Sequence, residues 1–311
     1  MSSALAGKRI VVTGSSHGIG RAIALRLGAE GARVVVNGSG QGSGGPARSQ
    51  ADLEELVREI ERAGGEALAF VGSVAEESAA TALVETAVEG FGGLDGLVNC
   101  AGIAGGPANS IREISLEDWR AVLAVHLDGS FFCSRAAIPQ LIRAGGGSIV
   151  HTSSHGALGG FGGSAYPAAK GAINSLTYAM ATDLAGDGIR VNAVCPGART
   201  RLSSGPDYER VIRRLEERGL LTPEAAASSL DVPPPEGCAP IYAYLLGDRS
   251  RDISGRIFTT SGNYIGVLAR SAEQPIAKRA PDEPPWSLEE LDALVPSRLT
   301  ELVEQREKEQ A

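Results

Sequence analysis

The side chains best placed to do chemistry together are Tyr166 and Lys170, in the run Ser153-x12-Tyr166-Pro-Ala-Ala-Lys170. Four residues apart on a helix, a phenol and an ammonium share one face and can enter one cleft. A nearby cation favours phenolate over phenol, so Lys170 is expected to lower the pKa of Tyr166. A tyrosine tuned towards neutral pH can pass a proton to or from a substrate oxygen. Upstream, Thr13-Gly14-Ser15-Ser16-His17-Gly18-Ile19-Gly20 lies between an apolar β-branched run and a helical pattern. In that context the glycines form a tight turn at a helix N-terminus, where backbone amides hold a pyrophosphate. Asn99-Cys100-Ala101-Gly102 ends a later apolar run, and its small residues let a cofactor ribose lie against the backbone. Together these features point to hydride transfer on an alcohol or ketone.

The elements that must position these groups alternate between strand and helix. Buried strands are predicted at residues 8–13, 33–37, 67–71, 94–100, 147–153, 189–195 and 257–260. Helical spacing occupies 21–28, 50–63, 115–135 and 166–185, the third opened by a capping-box-like Ser115-Leu-Glu-Asp118. Such alternation implies an α/β fold: a doubly wound (Rossmann) mostly parallel seven-stranded sheet with helices on both faces. Pro167 must then sit in the first turn of its helix or distort it. The glycine-rich stretch 38–49 is longer than a usual βα connection. Residues 1–269 read as one domain, with a polar helical insertion at about 201–235. It follows the sixth strand directly, and ligands of open α/β sheets sit outside the carboxyl ends of strands, so the insertion is expected to be a substrate lid. Residues 270–311 read as a C-terminal extension with a short helix, capped by Ser287 and Glu290, stapled by Trp286 on Leu291, and frayed from Glu304 onward.

Composition narrows the class. The chain has 311 residues, 43% of them hydrophobic, and a net charge of −8, which argues against a nucleic-acid partner. Cys100, Cys133, Cys195 and Cys238 form no metal pattern and read as reduced thiols. No metal is implied. The N-terminal residues are too short and polar for a signal peptide, and no apolar run is read as a bilayer span, so a cytoplasmic protein is expected.

With its ordered motifs, the chain resembles the short-chain dehydrogenase/reductase superfamily, single-domain branch, over residues 8–267. The resemblance rests on the glycine turn, Asn99-Cys100-Ala101-Gly102, Ser153, Tyr166, Lys170 and Cys195-Pro196-Gly197. It implies that Tyr166 is the general acid in reduction and the base in oxidation, that Lys170 holds the nicotinamide ribose, and that Ser153 positions the substrate oxygen. Ser154 is adjacent, but the spacing to Tyr166 favours Ser153. The implied cofactor-binding set is Gly14, Ser16, His17, Gly18, Ile19, Gly20, Asn37, Gly38, Ser39, Ser73, Val74, Asn99, Ala101, Gly102, Tyr166, Lys170, Pro196, Gly197 and Thr200. A homotetramer or homodimer is implied as well. The glycine-rich loop and the tail around Trp286 are more loosely similar to hydroxyacyl-CoA dehydrogenase units of multifunctional enzymes. On that basis the substrate is expected to be bulky: a 3-hydroxyacyl thioester, a steroid or a cyclic ketone.

Three positions depart from the family pattern. His126 stands where the family has a catalytic Asn, and could still relay a proton to Lys170 by bonding backbone and water. Gly38 replaces the carboxylate that holds the ribose in NAD-dependent relatives, leaving Asn37, Ser39 and Arg48 near a 2′-phosphate, so the cofactor NAD(P)(H) leans to NADP(H). Ser73-Val74 stands for Asp-Val at the adenine. His155, beside Leu158 and Phe161, reads as a loop histidine. Two other readings compete. A sugar-nucleotide epimerase or dehydratase is disfavoured by the spacing between Gly14 and Gly18. A non-catalytic dinucleotide sensor or scaffold is disfavoured by intact Ser153, Tyr166 and Lys170.

Overall fold

The computed structural model describes residues 4–40, 45–104, 110–159, 163–200, 203–217, 223–270 and 273–310. Internal contacts divide the chain after Leu268, and the two units are described separately.

The first unit is built on one eight-stranded sheet in the order β3-β2-β1-β4-β5-β6-β7-β8. The strands are β1 (Arg9–Val12), β2 (Arg33–Gly38), β3 (Glu66–Val71), β4 (Gly96–Asn99), β5 (Gly147–Thr152), β6 (Ile189–Pro196), β7 (Ile257–Ser261) and β8 (Tyr264–Leu268). The first seven pair in parallel. The eighth, beyond the seven expected, folds back antiparallel on β7, pairing Ile257 with Leu268 and Ser261 with Tyr264. Its exposed Tyr264, Ile265 and Val267 form a sheet edge, where one face is not buried and the sequence pattern is weak.

Side chains alternate between the faces of the inner strands. Ile10, Val12, Val34 and Val36 pack with Ile23, Leu27, Leu53, Leu56, Tyr242 and Leu245. Those partners come from α1 (Gly18–Ala29), α2 (Gly45–Arg62) and α9 (Ala239–Leu246). Val11, Val35, Leu97 and Ile149 pack on the other side with Leu83, Cys133, Leu141 and Met180. These come from α3 (Glu77–Phe91), α5 (Gly129–Arg143) and α6 (Ala165–Asp183). Burying each such aliphatic side chain contributes about 1.5–3 kcal/mol.

Some boundaries differ from expectation. Helix α2 begins at Gly45, within the stretch read as loop, because Pro46 is tolerated in a first turn. The helix predicted at 115–135 runs on to Arg143 as α4 (Leu116–Leu123), a π-helical turn over Ala124–Asp128, and α5. As expected, the Ser115 hydroxyl caps it, accepting from Asp118 N at 2.9 Å. Leu116–Arg143 also has the length and apolar composition of a bilayer span, which the sequence reading missed. Its Cys133, Ala137 and Leu141 are nevertheless fully buried among sheet residues, as in a core helix. Pro167 falls in the first turn of α6, where its missing N–H has no helical acceptor to lose. The insertion consists of α7 (Pro206–Glu217) and α8 (Pro223–Leu230), tied by the Tyr208 hydroxyl donating to Ser229 O at 3.2 Å.

The second unit carries α10 (Leu288–Gln310), 23 residues rather than a short helix. Ser287 N donates to Glu290 Oε2 at 2.7 Å and Glu290 N to Ser287 Oγ at 3.2 Å, closing the capping box. The Arg279 guanidinium lies 3.9 Å from the Trp286 ring centroid. Helical backbone continues through the region where fraying was expected.

Candidate active site

Strand order reverses between β1 and β4, the switch point at which open α/β sheets bind ligands. The turn after β1 is pressed against the turn after β4. A Cβ on Gly14, whose φ is +63°, would stand 2.5 Å from Ala101 Cα, and one on Gly20 would overlap Gly14 O. Thr13 Oγ1 locks the two turns by accepting from Cys100 N at 2.9 Å and Ala101 N at 3.0 Å. Helix α1 then starts at Gly18 behind an extended His17, with no side chain capping its first turn. Its amides and partial positive charge are thus presented to the crevice. The loop after β6 closes over this turn, since a Gly18 Cβ would lie 3.5 Å from Thr200 Cγ2. Pro196 and Gly197 lead into that loop, anchored by Gly197 N donating to Thr260 O at 2.7 Å. A seat this tight, walled by backbone and open at a helix N-terminus, fits a dinucleotide pyrophosphate.

Several residues expected at the cofactor have other work. Asn37 is 1% exposed, accepts from Gly14 N at 3.2 Å and donates to Gly72 O at 3.0 Å, so it braces the glycine turn instead of reaching a ribose. The Asn99 amide points inward to Ser134 Oγ at 3.1 Å and His151 Nδ1 at 3.2 Å. Val74 is buried against Gly129 at the start of α5, while Ser73 O accepts from Glu76 N at 3.0 Å. Gly38 is buried at the end of β2 and Ser39 is exposed beside it. The side chain of Arg48 and the whole of Phe161 lie outside the described residues.

Tyr166 and Lys170 enter from the first turns of α6, below the ends of β5 and β6. Lys170 is 5% exposed and donates from Nζ to Thr152 O at 2.6 Å. Burial brings its pKa down to about 8. Nζ lies 5.7 Å from the centre of the Tyr166 ring. Burial raises the pKa of Tyr166, and the Ser154 hydroxyl acts against that rise. The depression expected from Lys170 does not appear here: desolvation is the largest influence on the phenol, and the ammonium is committed to the Thr152 carbonyl. Tyr208 of α7 adds slightly to the rise.

The two adjacent serines have different partners. Ser153 is 2% exposed and donates to Asn174 Oδ1 at 2.6 Å. Ser154 is the hydroxyl beside Tyr166, and it also accepts from Gly156 N at 3.0 Å. Residue spacing counts the loop but not its course. Successive residues at a strand end face opposite ways, so a one-residue offset exchanges the two hydroxyls. The inward alternation of β5 was the signal that could have found Ser154. His155 follows in a 3₁₀ turn and is exposed.

The short chain dehydrogenase profile matches residues 8–202. The chain belongs to the short-chain dehydrogenase family. A solved short chain dehydrogenase from Mycobacterium avium is 37% identical, with a TM-score of 0.79 and 96% of each chain covered. Another, from Burkholderia cenocepacia and in complex with NADP, is 32% identical with a TM-score of 0.69, covering 83% of this chain and 98% of that one. Meso-2,3-butanediol dehydrogenase of Serratia marcescens is 35% identical over 82% of this chain and 93% of its own. The family is one of oxidoreductases, and the fold and glycine turn match a nicotinamide-dinucleotide site.

In this short-chain dehydrogenase His126 occupies the π-helical turn, 2% exposed, and its ring meets that of Tyr166 edge-on at 5.3 Å and 89°. Nε2 binds the backbone of Ile103, 3.0 Å from its N and 2.8 Å from its O. A Cβ on Gly102 would collide with the His126 ring. Burial holds the imidazole neutral, with a pKa of about 3, and Lys170 adds to the effect. Its Nδ1 is buried with no hydrogen-bond partner among the described residues.

Proposed function

We propose that the protein is an NAD(P)(H)-dependent oxidoreductase interconverting a ketone and a secondary alcohol, with Tyr166 as the general acid/base. The observation that carries this reading is Tyr166 in hydrogen-bonding reach of the Ser154 hydroxyl, with Lys170 Nζ 5.7 Å from its ring centre. The nicotinamide supplies or accepts the hydride. In reduction, Tyr166 donates its phenolic proton to the developing alkoxide; in oxidation it removes the alcohol proton. Ser154 donates a second hydrogen bond to that oxygen, where charge develops. Lys170, fixed by Thr152 O, holds the ribose and offsets the negative charge that Tyr166 carries after giving up its proton. Ser153 sets the strand end through Asn174. His126 fixes the Tyr166 ring by its edge contact, and a water on Nδ1 would carry a proton between it and Lys170.

The unit ending at Leu268 is the catalytic domain in this reading, with α7 and α8 as its substrate lid. Tyr208 on α7 supports that assignment, as does the exposed apolar Leu158 in the turn after β5. The substrate class is a bulky lipophilic carbonyl: a 3-hydroxyacyl thioester, a steroid or a cyclic ketone. NADP(H) is the favoured cofactor, supported by the absence of a β2-end carboxylate. A cytoplasmic homotetramer or homodimer completes the reading. The test is turnover of a ketone panel by the purified protein with NADPH and NADH, for the wild type and Tyr166→Phe. Turnover lost in the variant, with dinucleotide affinity within a few-fold, supports it. Dinucleotide binding by the wild type without turnover of any carbonyl points to the sensor reading.

A further inference from the structure

Tyr242 of α9 is the largest fully buried side chain of the core, and it carries a phenol oxygen into an otherwise apolar layer. A hydroxyl buried there has to place its proton on an acceptor. Among the described residues its oxygen meets the Thr152 hydroxyl, at 3.1 Å. Burial raises the pKa of Tyr242 well above its ordinary value, so the phenol stays protonated and donates. The Thr152 hydroxyl is then left to donate to Cys100, whose thiol lies within hydrogen-bonding reach.

Thr152 is the last residue of β5, and its backbone oxygen accepts from Lys170 Nζ at 2.6 Å. The register explains why that oxygen is open to the lysine. Ser153 N donates to Val194 O of β6 at 2.7 Å. Successive residues aim their backbone groups at alternate neighbours, so those of Thr152 face the β4 side. There the pairing stops at Asn99 with His151, one residue short of Thr152. We propose that Tyr242 is a positioning residue for the reaction: by gripping the Thr152 side chain it fixes the peptide that holds Lys170, in place of the missing ladder bond. The inference rests on the oxidoreductase reading above, in which Lys170 acts on the ribose and on Tyr166. The ionisable groups facing Lys170 are Cys100 after β4, His151 on β5, His126 in the π-helical turn, Cys195 on β6 and Tyr166 on its own helix. The histidines are neutral, and burial pushes the two thiols and the phenol up, so Lys170 is the one among them that titrates near pH 8.

The experiment is steady-state kinetics of the full chain across the titration of Lys170, with a ketone from the panel above, together with thermal unfolding. The proteins are the wild type, Tyr242→Phe, Thr152→Val and the double variant. Phenylalanine keeps the ring, and valine keeps the shape of threonine and its carbonyl. Each single variant lowers kcat about three- to tenfold, the worth of one hydrogen bond, with KM for the ketone within about twofold. A looser carbonyl holds the charged amine less well, so the alkaline fall in kcat moves to lower pH, by about half a unit. The double variant loses little more than either single one, because both remove the same contact. Variants that lose Tm but keep the wild-type kcat and pH profile make Tyr242 a packing residue and overturn the inference. Losses that multiply in the double variant overturn it too. A wild type that binds a dinucleotide but turns over no ketone is a different result: it overturns the oxidoreductase reading, and the inference with it.

Discussion

Alanine at Ser154 and alanine at Ser153 should fail in opposite ways. Ser154 is the hydroxyl that acts on the Tyr166 phenol. Removing a donor aimed at developing negative charge costs about 10²–10³ in kcat, or roughly 3–4 kcal/mol of transition-state stabilisation. The hydroxyl is partly exposed and its other bond is to Gly156 N, so stability should fall by less than about 1 kcal/mol. Ser153 instead donates to Asn174 Oδ1 at 2.6 Å from a buried position. Alanine there strands a half-buried acceptor, at a cost of about 1–2 kcal/mol. For a domain of this size that lowers Tm by roughly 2–8 °C. Steady-state kinetics at saturating cofactor and thermal unfolding, measured on both variants, separate the cases. Ser154→Ala should lose kcat at near-normal Tm, and Ser153→Ala should lose Tm with kcat within about fivefold. The opposite pattern, with a hundredfold loss in Ser153→Ala and little in Ser154→Ala, would refute the assignment and restore the serine favoured by spacing.

Other outcomes follow from the same geometry. His126 and His151 are buried neutral, with pKa values of about 3 and about 4 against an ordinary 6.5. The unfolded chain binds protons on them below pH 6.5 while the folded chain does not. Stability should therefore be level above that pH, fall by up to roughly 1.4 kcal/mol per pH unit per histidine below it, and flatten near the folded values. Thermal unfolding between pH 7.5 and 5 checks this, and His126→Asn should make the decline shallower; an unchanged slope would count against a neutral His126. Gly14→Ala forces a Cβ against Ala101 and a methyl onto a positive φ, so affinity for NADH and NADPH should fall more than tenfold by fluorescence titration. Unchanged affinity would remove the glycine turn from the site.

The local chemistry of the chain was legible because it depends on short spacings. Buried strand runs such as Val34-Val35-Val36, the glycine turn, and a Tyr and Lys one helical turn apart each declare themselves within a few residues. From these came the doubly wound sheet, the dinucleotide crevice and the oxidoreductase family. The family pattern located His126 but not its contacts, which depend on Ile103 from another part of the chain.

Tertiary structure decided what side chains face. Ser153 and Ser154 are equivalent in sequence, and only the path of β5 into its loop turns one to Asn174 and the other to Tyr166. Asn37 looked like a ribose ligand until Gly14 and Gly72 occupied its amide. The phenol that a nearby lysine was expected to acidify is instead held up by desolvation, an effect of everything packed around it and not of any one neighbour. Asp52 of α2 meets His17 of the glycine turn, because helix packing brings together residues that sequence separation keeps apart. Spacing along one element fixes which groups are available; the packing of elements on one another fixes their direction, their solvation and therefore their chemistry.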